Sequence, residues 1–174
     1  SVLAIASNYE KAFTKTFGPQ EYKWVKTNPK FVKVNVDAAY YQDEGMGATS
    51  AITRDEKGNF IVATCKFIPF AAEVVTTEAM AMRDGLKLAN SLGFNRLEAE
   101  SDSLQVINFC NGQTRCWDSA AAIFADCVDT TTSIGKVIYK HCYRSSNQAA
   151  HVLANYSYCN KISLVRMTCW SASS

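Results

Sequence analysis

The sequence predicts an α/β domain built on a mixed sheet with helices on both faces, and three observations carry that expectation. Residues 31–41 (FVKVNVDAAYY) alternate: Val32, Val34, Val36, Ala38 and Tyr40 share one face, and Lys33, Asn35 and Asp37 the other. That is the period of a half-buried strand. Two further strand-like stretches follow behind short turns, which makes an antiparallel meander. Beyond Pro69 helical and strand patterns alternate, so the chain order reads β-β-β-α-β-α-α-β-α, and the later strands must join by right-handed crossovers.

Taken in order, residues 1–30 show mixed periodicity and end at the Asn28-Pro29 break. They read as a linker or N-terminal extension, with a short helix over Tyr9 to Phe17 and with Trp24 packing on the domain edge. After QDEGMG, Ala48 to Arg54 alternates as a second strand. Asp55-Glu56-Lys57-Gly58-Asn59 is a tight hairpin connection, because Gly and Asn tolerate positive φ. Phe60 to Phe67 returns as the third strand. Thr76 or Thr77 offers a helix N-cap, and Ala79, Met82, Leu86 and Ala89 form one apolar stripe that ends at Leu92-Gly93. Arg96 to Ser101 is the fourth strand, followed by a short helix over Ser103 to Cys110 and an alanine-rich one from Ser119 to about Thr132. Lys136 to Cys142 is the fifth strand. Ser145-Ser146-Asn147 caps a last helix, and the tail from Ser163 reads as loosely structured. The domain itself is expected over 31–160, with a C-terminal tail at 161–174.

Composition narrows the class. At 174 residues, 48% hydrophobic and 20% charged, the chain is about one domain's worth of an ordinary globular protein. No apolar run approaches the ~20 residues of a membrane-spanning helix. The opening SVLAIAS is too short and uncharged for a secretory leader, and without an initiator Met the chain is expected to be a segment of something longer. Seven cysteines, with no CxxC pair and no His at metal-finger spacing, read as reduced thiols. An intracellular location, nuclear or cytoplasmic, follows. Net charge is +2, but residues 31–130 carry eight basic against fourteen acidic residues, while residues 131–174 carry five basic residues and no acid. An acidic centre with basic flanks suits a polyanion held near bound cations; solvated surface charge is the plainer account.

Asp37 is the first candidate for chemistry, since Asp is disfavoured in mid-strand. It either closes the strand by bonding local backbone or is held there to react. Asp102, at the end of a neighbouring parallel strand, would lie beside it, and helix starts bearing Glu78 and His151 could reach the same edge. Alone, Glu78 reads as a first-turn residue favourable to the helix dipole.

With these residues in view, the sequence resembles the ribonuclease H family, and within it the domain of plant non-LTR retroelements. The segments KVNVDAAY, GMGATSAITRDEKGNF, TTEAMAMRDGLKLANSLG, LEAESDSLQVIN and YRSSNQAAHVLA carry the likeness, over roughly residues 24–160. The resemblance implies an RNase H-like fold, a five-stranded sheet in 3-2-1-4-5 order with strand 2 antiparallel. It implies hydrolysis of the RNA strand of RNA–DNA hybrids by two divalent cations, Mg²⁺ or Mn²⁺, held by Asp37, Glu78 and Asp102. Where the family has a fourth carboxylate, NQAAHVLA puts His151, either a weaker fourth ligand or a capping histidine in a domain that has lost hydrolysis. Ala38 replaces the usual Gly, and the flexible His loop is missing, with His141 a strand residue or a loose stand-in. Glu100 reads as a solvent-facing partner of Arg96 or an auxiliary acid. Asn35, Gln42 and Asn108 are the candidate contacts to RNA 2′-hydroxyls. Between the short and the alanine-rich helices only Arg115 and Trp117 stand where a basic protrusion could be, so hybrid affinity is expected to be modest. Two other functions stay open: a domesticated, catalytically silent module that binds nucleic acid or a protein partner, and a nuclease for branched or single-stranded DNA suggested by His151.

Overall fold

Ten residues of alternating pattern, Val32–Tyr41, form β1, the strand on which the others assemble. It pairs antiparallel with β2 (Met46–Arg54) and parallel with β4 (Arg96–Ser101). Next to β2 runs β3 (Phe60–Ile68), antiparallel, and next to β4 runs β5 (Lys136–His141), parallel. The computed structural model describes residues 23–114 and 118–167. The helix expected over Tyr9 to Phe17, and Arg115 and Trp117, lie outside the described residues.

The expected 3-2-1-4-5 order with strand 2 antiparallel is present, but the sheet has six strands rather than five. Leu164–Met167, in the stretch expected to be loosely structured, is β6, antiparallel to β3. All four of its residues are exposed, so no apolar alternation marks it; backbone pairing holds it. Thr64 Oγ1 donates to the Leu164 carbonyl at 3.1 Å, and the Phe67 amide to Ser163 Oγ at 3.0 Å. The β2–β3 hairpin closes as expected, with Asp55 Oδ1 accepting the amides of Lys57 (2.9 Å) and Asn59 (2.8 Å) and Gly58 at φ +90°.

On one face lies α1 (Val74–Ser91), with α2 (Leu104–Cys110) and α3 (Ala121–Ile134) beside it; α4 (Gln148–Asn160) covers the other. The predicted stripe Ala79, Met82, Leu86 and Ala89 is fully buried against Val34, Val36 and Ala51. Gly85 lets the helix press on the sheet, since a Cβ there would meet Val36 Cγ1 at 2.6 Å. The helix starts earlier than expected, with Glu73 at the N-cap, so Glu78 stands in the second turn rather than the first. Thr76 and Thr77 turn back instead, donating to Glu73 Oε1 (2.9 Å) and to its carbonyl (2.7 Å). Among the described residues no helix is long and apolar enough to cross a membrane.

The second face of β1 departs from expectation. Lys33, Asn35 and Asp37 are buried rather than solvated. Lys33 Nζ pairs with Glu98 at 2.8 Å and with Glu100, and donates to the Val25 carbonyl at 2.7 Å. Glu100 is thus an interior ion-pair partner, not a solvent-facing mate of Arg96. Trp24 packs on this edge as expected, its Nε1 donating to Asn35 Oδ1 at 2.8 Å and its ring lying under Lys33 and Arg54. Lys140 completes the row at 2.6 Å from Glu98. Removing one member of a buried ion network strands the others. Lys33→Met should therefore lower unfolding free energy by about 3–5 kcal/mol, read by urea denaturation; a loss below about 1 kcal/mol would mean that the two glutamates are relieved elsewhere.

Candidate active site

The pairing of β1 with β4 sets the geometry. Lys33 is level with Glu98 and Asn35 with Glu100, and two residues on the same register brings Asp37 beside Asp102. Glu78 enters from α1. One oxygen of each carboxylate lies within 4.8 Å of the others, the one such group of potential ligands among the described residues. Asp37 is 1% exposed, and Glu78 Oε2 is buried with no hydrogen-bond partner among the described residues. Burial, then the charges of Asp37 and Asp102, push the Glu78 carboxyl well above the usual range. Burial, then the charge and hydrogen bond of Asp37, raise Asp102 to about 6. Arg144 pulls both the other way. Three carboxylates at this spacing, one buried and two half-buried, repel unless a cation lies among them. The residues fit a hard dication: three oxygen donors from separate elements, one of them orphaned.

His151 arrives from the first turn of α4 and stands outside that three-way group, joined to Asp37. Its Nδ1 lies 2.9 Å from Asp37 Oδ2. An Arg144 guanidinium nitrogen lies 3.0 Å from Nδ1 and 3.2 Å from Nε2, and Asn155 Nδ2 lies 3.4 Å and 3.1 Å from them, both donors. Asp37 is an acceptor and faces Nδ1 alone, which favours an imidazole that gives the Nδ1 proton to Asp37 and leaves Nε2 to accept. Arg144, 61% exposed, bridges the open rim, with its other terminal nitrogen 3.8 Å from Asp102 Oδ2. Sequence reasoning passed over both Arg144 and Asn155. Asn155 had a signal in its i+4 spacing from His151; Arg144 stood out only as one of the five cations of the acid-free segment.

The other expected residues scatter. Asn35 is withdrawn as a nucleic-acid contact, because it is 2% exposed and both ends of its amide are engaged, by Trp24 and by Glu100 at 2.9 Å. Gln42 is exposed beyond β1 and lines a cleft of about 730 Å³ with Tyr40, Glu73, Gln105 and Ser119. Asn108 is half-buried on α2. His141 is the last residue of β5, with Nε2 at 3.2 Å from the Asp102 carbonyl.

A mixed sheet with helices on both faces, and this carboxylate group assembled from the middle of β1, the end of the parallel β4 and α1, defines an RNase H-like domain. Residues 35–157 match the family described as reverse transcriptase-like, and the chain belongs to that family. The fold is shared with solved structures of low identity. RNase H1 of the halophilic archaeon Halobacterium salinarum is 21% identical with a TM-score of 0.70, over 76% of this chain and 99% of that one. The N-terminal RNase H domain of a Mycobacterium tuberculosis protein is 17% identical with a TM-score of 0.71, over 75% and 94%. LC11-RNase H1, solved in complex with an RNA/DNA hybrid, is 18% identical with a TM-score of 0.68, over 75% and 97%. A search of curated protein sequences finds no match.

The raised Asp102 carboxyl has a stability consequence of definite sign. The folded chain holds this proton up to about 6, the unfolded chain only to 3.8. Asp102 therefore favours the fold at pH below its unfolded value and opposes it increasingly as pH climbs from about 4 to 6. Asp102→Asn, neutral throughout, should gain on wild type over that interval in chelating buffer, so the difference in Tm (variant minus wild type) grows with pH. A difference that is flat with pH would contradict the repulsion.

Proposed function

We propose that this domain is a metal-dependent endonuclease, of retroelement origin, that hydrolyses the RNA strand of RNA–DNA hybrids. The observation that carries the reading is the convergence of Asp37, Glu78 and Asp102 with a Glu78 oxygen that is buried and has no partner among the described residues. The likeness of fold to LC11-RNase H1, solved with an RNA/DNA hybrid, supports the choice of substrate. The functional unit is the domain at 31–160, to which Trp24 of the extension and β6 of the tail are fastened.

Asp37, Glu78 and Asp102 would hold Mg²⁺ or Mn²⁺, with His151 as a weaker fourth ligand once its Nε2 leaves Arg144 and Asn155. When bound, two such ions supply an activated water and stabilise the departing oxygen of an in-line displacement at phosphorus. The chain's own contributions are distinct. Asp37, clamped by the His151 Nδ1 proton, is held in one orientation. The Arg144 guanidinium at the rim meets a phosphate oxygen by charge-assisted hydrogen bonds. Gln42 and Asn108 reach sugar hydroxyls, which is how RNA is told from DNA.

One observation favours a second reading, a catalytically impaired module that binds nucleic acid or a protein partner. Both ring nitrogens of His151 are engaged within the protein, so the fourth position offers no ready ligand.

Cleavage of a labelled hybrid, in Mg²⁺ and Mn²⁺ in parallel, separates the two. Wild type should cut, better with Mn²⁺. Asp37→Asn, nearly isosteric, should lose roughly 10³-fold in rate while keeping its fold, the several kcal/mol that metal-bound charge stabilisation is worth. Wild-type rates in Asp37→Asn would overturn the assignment. Silence in wild type with cutting by His151→Asp would select the binding module.

A further inference from the structure

Four residues beyond Asp37, β1 ends in an aromatic ring for which the carboxylate site has no use. Alternation puts Tyr41 on the same side of the strand as Asp37 and Ala39, and it is 36% exposed. One face of the ring lies on Tyr158, with centroids 3.6 Å apart and planes 11° from parallel. Lys161 Nζ stands 4.0 Å from the Tyr158 centroid. With Tyr41 filling one face of Tyr158 at that distance, the ammonium takes the other. The Tyr158 hydroxyl donates to Glu44, whose second oxygen is 3.6 Å from Lys161. The Tyr41 hydroxyl donates to Asn155 Oδ1 at 2.9 Å, and Asn155 Nδ2 donates to the His151 carbonyl at 3.0 Å.

A singly exposed tyrosine ordinarily needs no account. This one is clamped at its back by Tyr158 and at its edge by Asn155, leaving the outer face toward water. A ligand stacking there orders nothing that is not already ordered, which removes a usual cost of binding. The clamp is also continuous with the candidate active site, through Asn155 and His151. A flat ring bordered at its edge by the amide of Asn155 suits a planar ligand with polar edges better than an aliphatic side chain. Four strand residues at about 3.3 Å each separate the ring from Asp37 by ~13 Å, about four stacked nucleotides at 3.4 Å.

We infer that Tyr41 is a stacking platform for an unpaired nucleobase on the strand that runs off the carboxylate site; this rests on the nuclease reading above. The base must be unpaired because, inside a duplex, both of its faces are covered by neighbours, whereas a free π-face stacks on an aromatic ring whatever its sequence. The domain would thus favour hybrids that end in a single-stranded extension over blunt ones.

Binding of two hybrids of equal duplex length, one blunt and one with a four-nucleotide single-stranded extension, tests this. The full chain is used in an Asp37→Asn background so that nothing is cut, with 2-aminopurine in the extension as reporter. The extension should tighten Kd roughly 5- to 150-fold, the equivalent of about 1–3 kcal/mol per stacked base, and quench the 2-aminopurine. Tyr41→Trp should keep the preference. Tyr41→Leu, which still covers Tyr158, should abolish it and leave the blunt hybrid bound as before. Equal affinities for the two hybrids, or a preference that survives Tyr41→Leu, overturn the platform while the nuclease reading stands. Failure to bind either hybrid, with no cleavage by the unsubstituted chain, overturns both.

Discussion

Lys33 is the fixed point of this structure. A lysine that is 1% exposed is tolerable only where its charge is matched, and two glutamates of β4 match it. That pairing specifies the β1–β4 register more strictly than apolar packing could, because a slip of one residue would send Lys33 to the other face, against Val34's neighbours, and strand Glu98 and Glu100. Everything at the candidate active site inherits the register. Asp37 and Asp102 lie side by side because Lys33 and Glu98 do, one turn of the pleat after another along the same row.

The row is charge-balanced at one end and unbalanced at the other. Lys33 in the interior and the exposed Lys140 answer Glu98 and Glu100, with Asn35 and Trp24 closing the gaps. Past Asn35 three acids follow, and among the described residues the His151 imidazole on Asp37 and the Arg144 side chain at the rim are what answers them. Among the described residues Glu78 Oε2 is buried without a partner, as are oxygens of Thr27, Thr53 and Asn147, but of these four only the Glu78 atom belongs to a carboxylate set against two others. Balance in one half of the row and imbalance in the other is what a scaffold and a binding site look like when they share one strand pair.

How much of this could be read beforehand depended on range. Alternation disclosed β1, the helical stripe disclosed which face of α1 is buried, and Asp55 with Gly58 disclosed the hairpin, because each is local. The topology then brought Asp37, Glu78 and Asp102 to one edge from their places in successive elements. What alternation could not tell is whether a polar face meets water or a paired interior. Lys33 and Glu100 are 67 residues apart, and nothing near either one announces the other. The same limit sent Asn35 to the wrong side of the ledger, as a substrate contact. β6 was illegible for the opposite reason: its residues are all exposed, and strand pairing, not burial, determines its conformation. Arg144 gave no sign because its role depends on a rim that exists only after β5 and α4 meet.

His151 poses the sharper question, and magnitudes decide it. A carboxylate in its place would add a full negative charge; at about 4 Å and an effective dielectric near 20, one unit charge on another is worth roughly 4 kcal/mol, and a dication doubles it. The imidazole forgoes that attraction. In return it orients Asp37 through the Nδ1 proton, and such outer contacts to a ligand are worth about 10- to 100-fold in metal affinity, or roughly 1.4–2.7 kcal/mol. The loss exceeds the gain, so under the nuclease reading this site binds divalent ions more weakly than a four-carboxylate one. Part of the deficit returns if the ion accepts nitrogen, since imidazole serves transition ions better than Mg²⁺. To provide it, Nε2 must exchange Arg144 and Asn155 for the metal, and the freed guanidinium would then face the phosphate at the rim. Ion capture and substrate grip are in this way set against the contacts that Arg144 and Asn155 make with one imidazole ring.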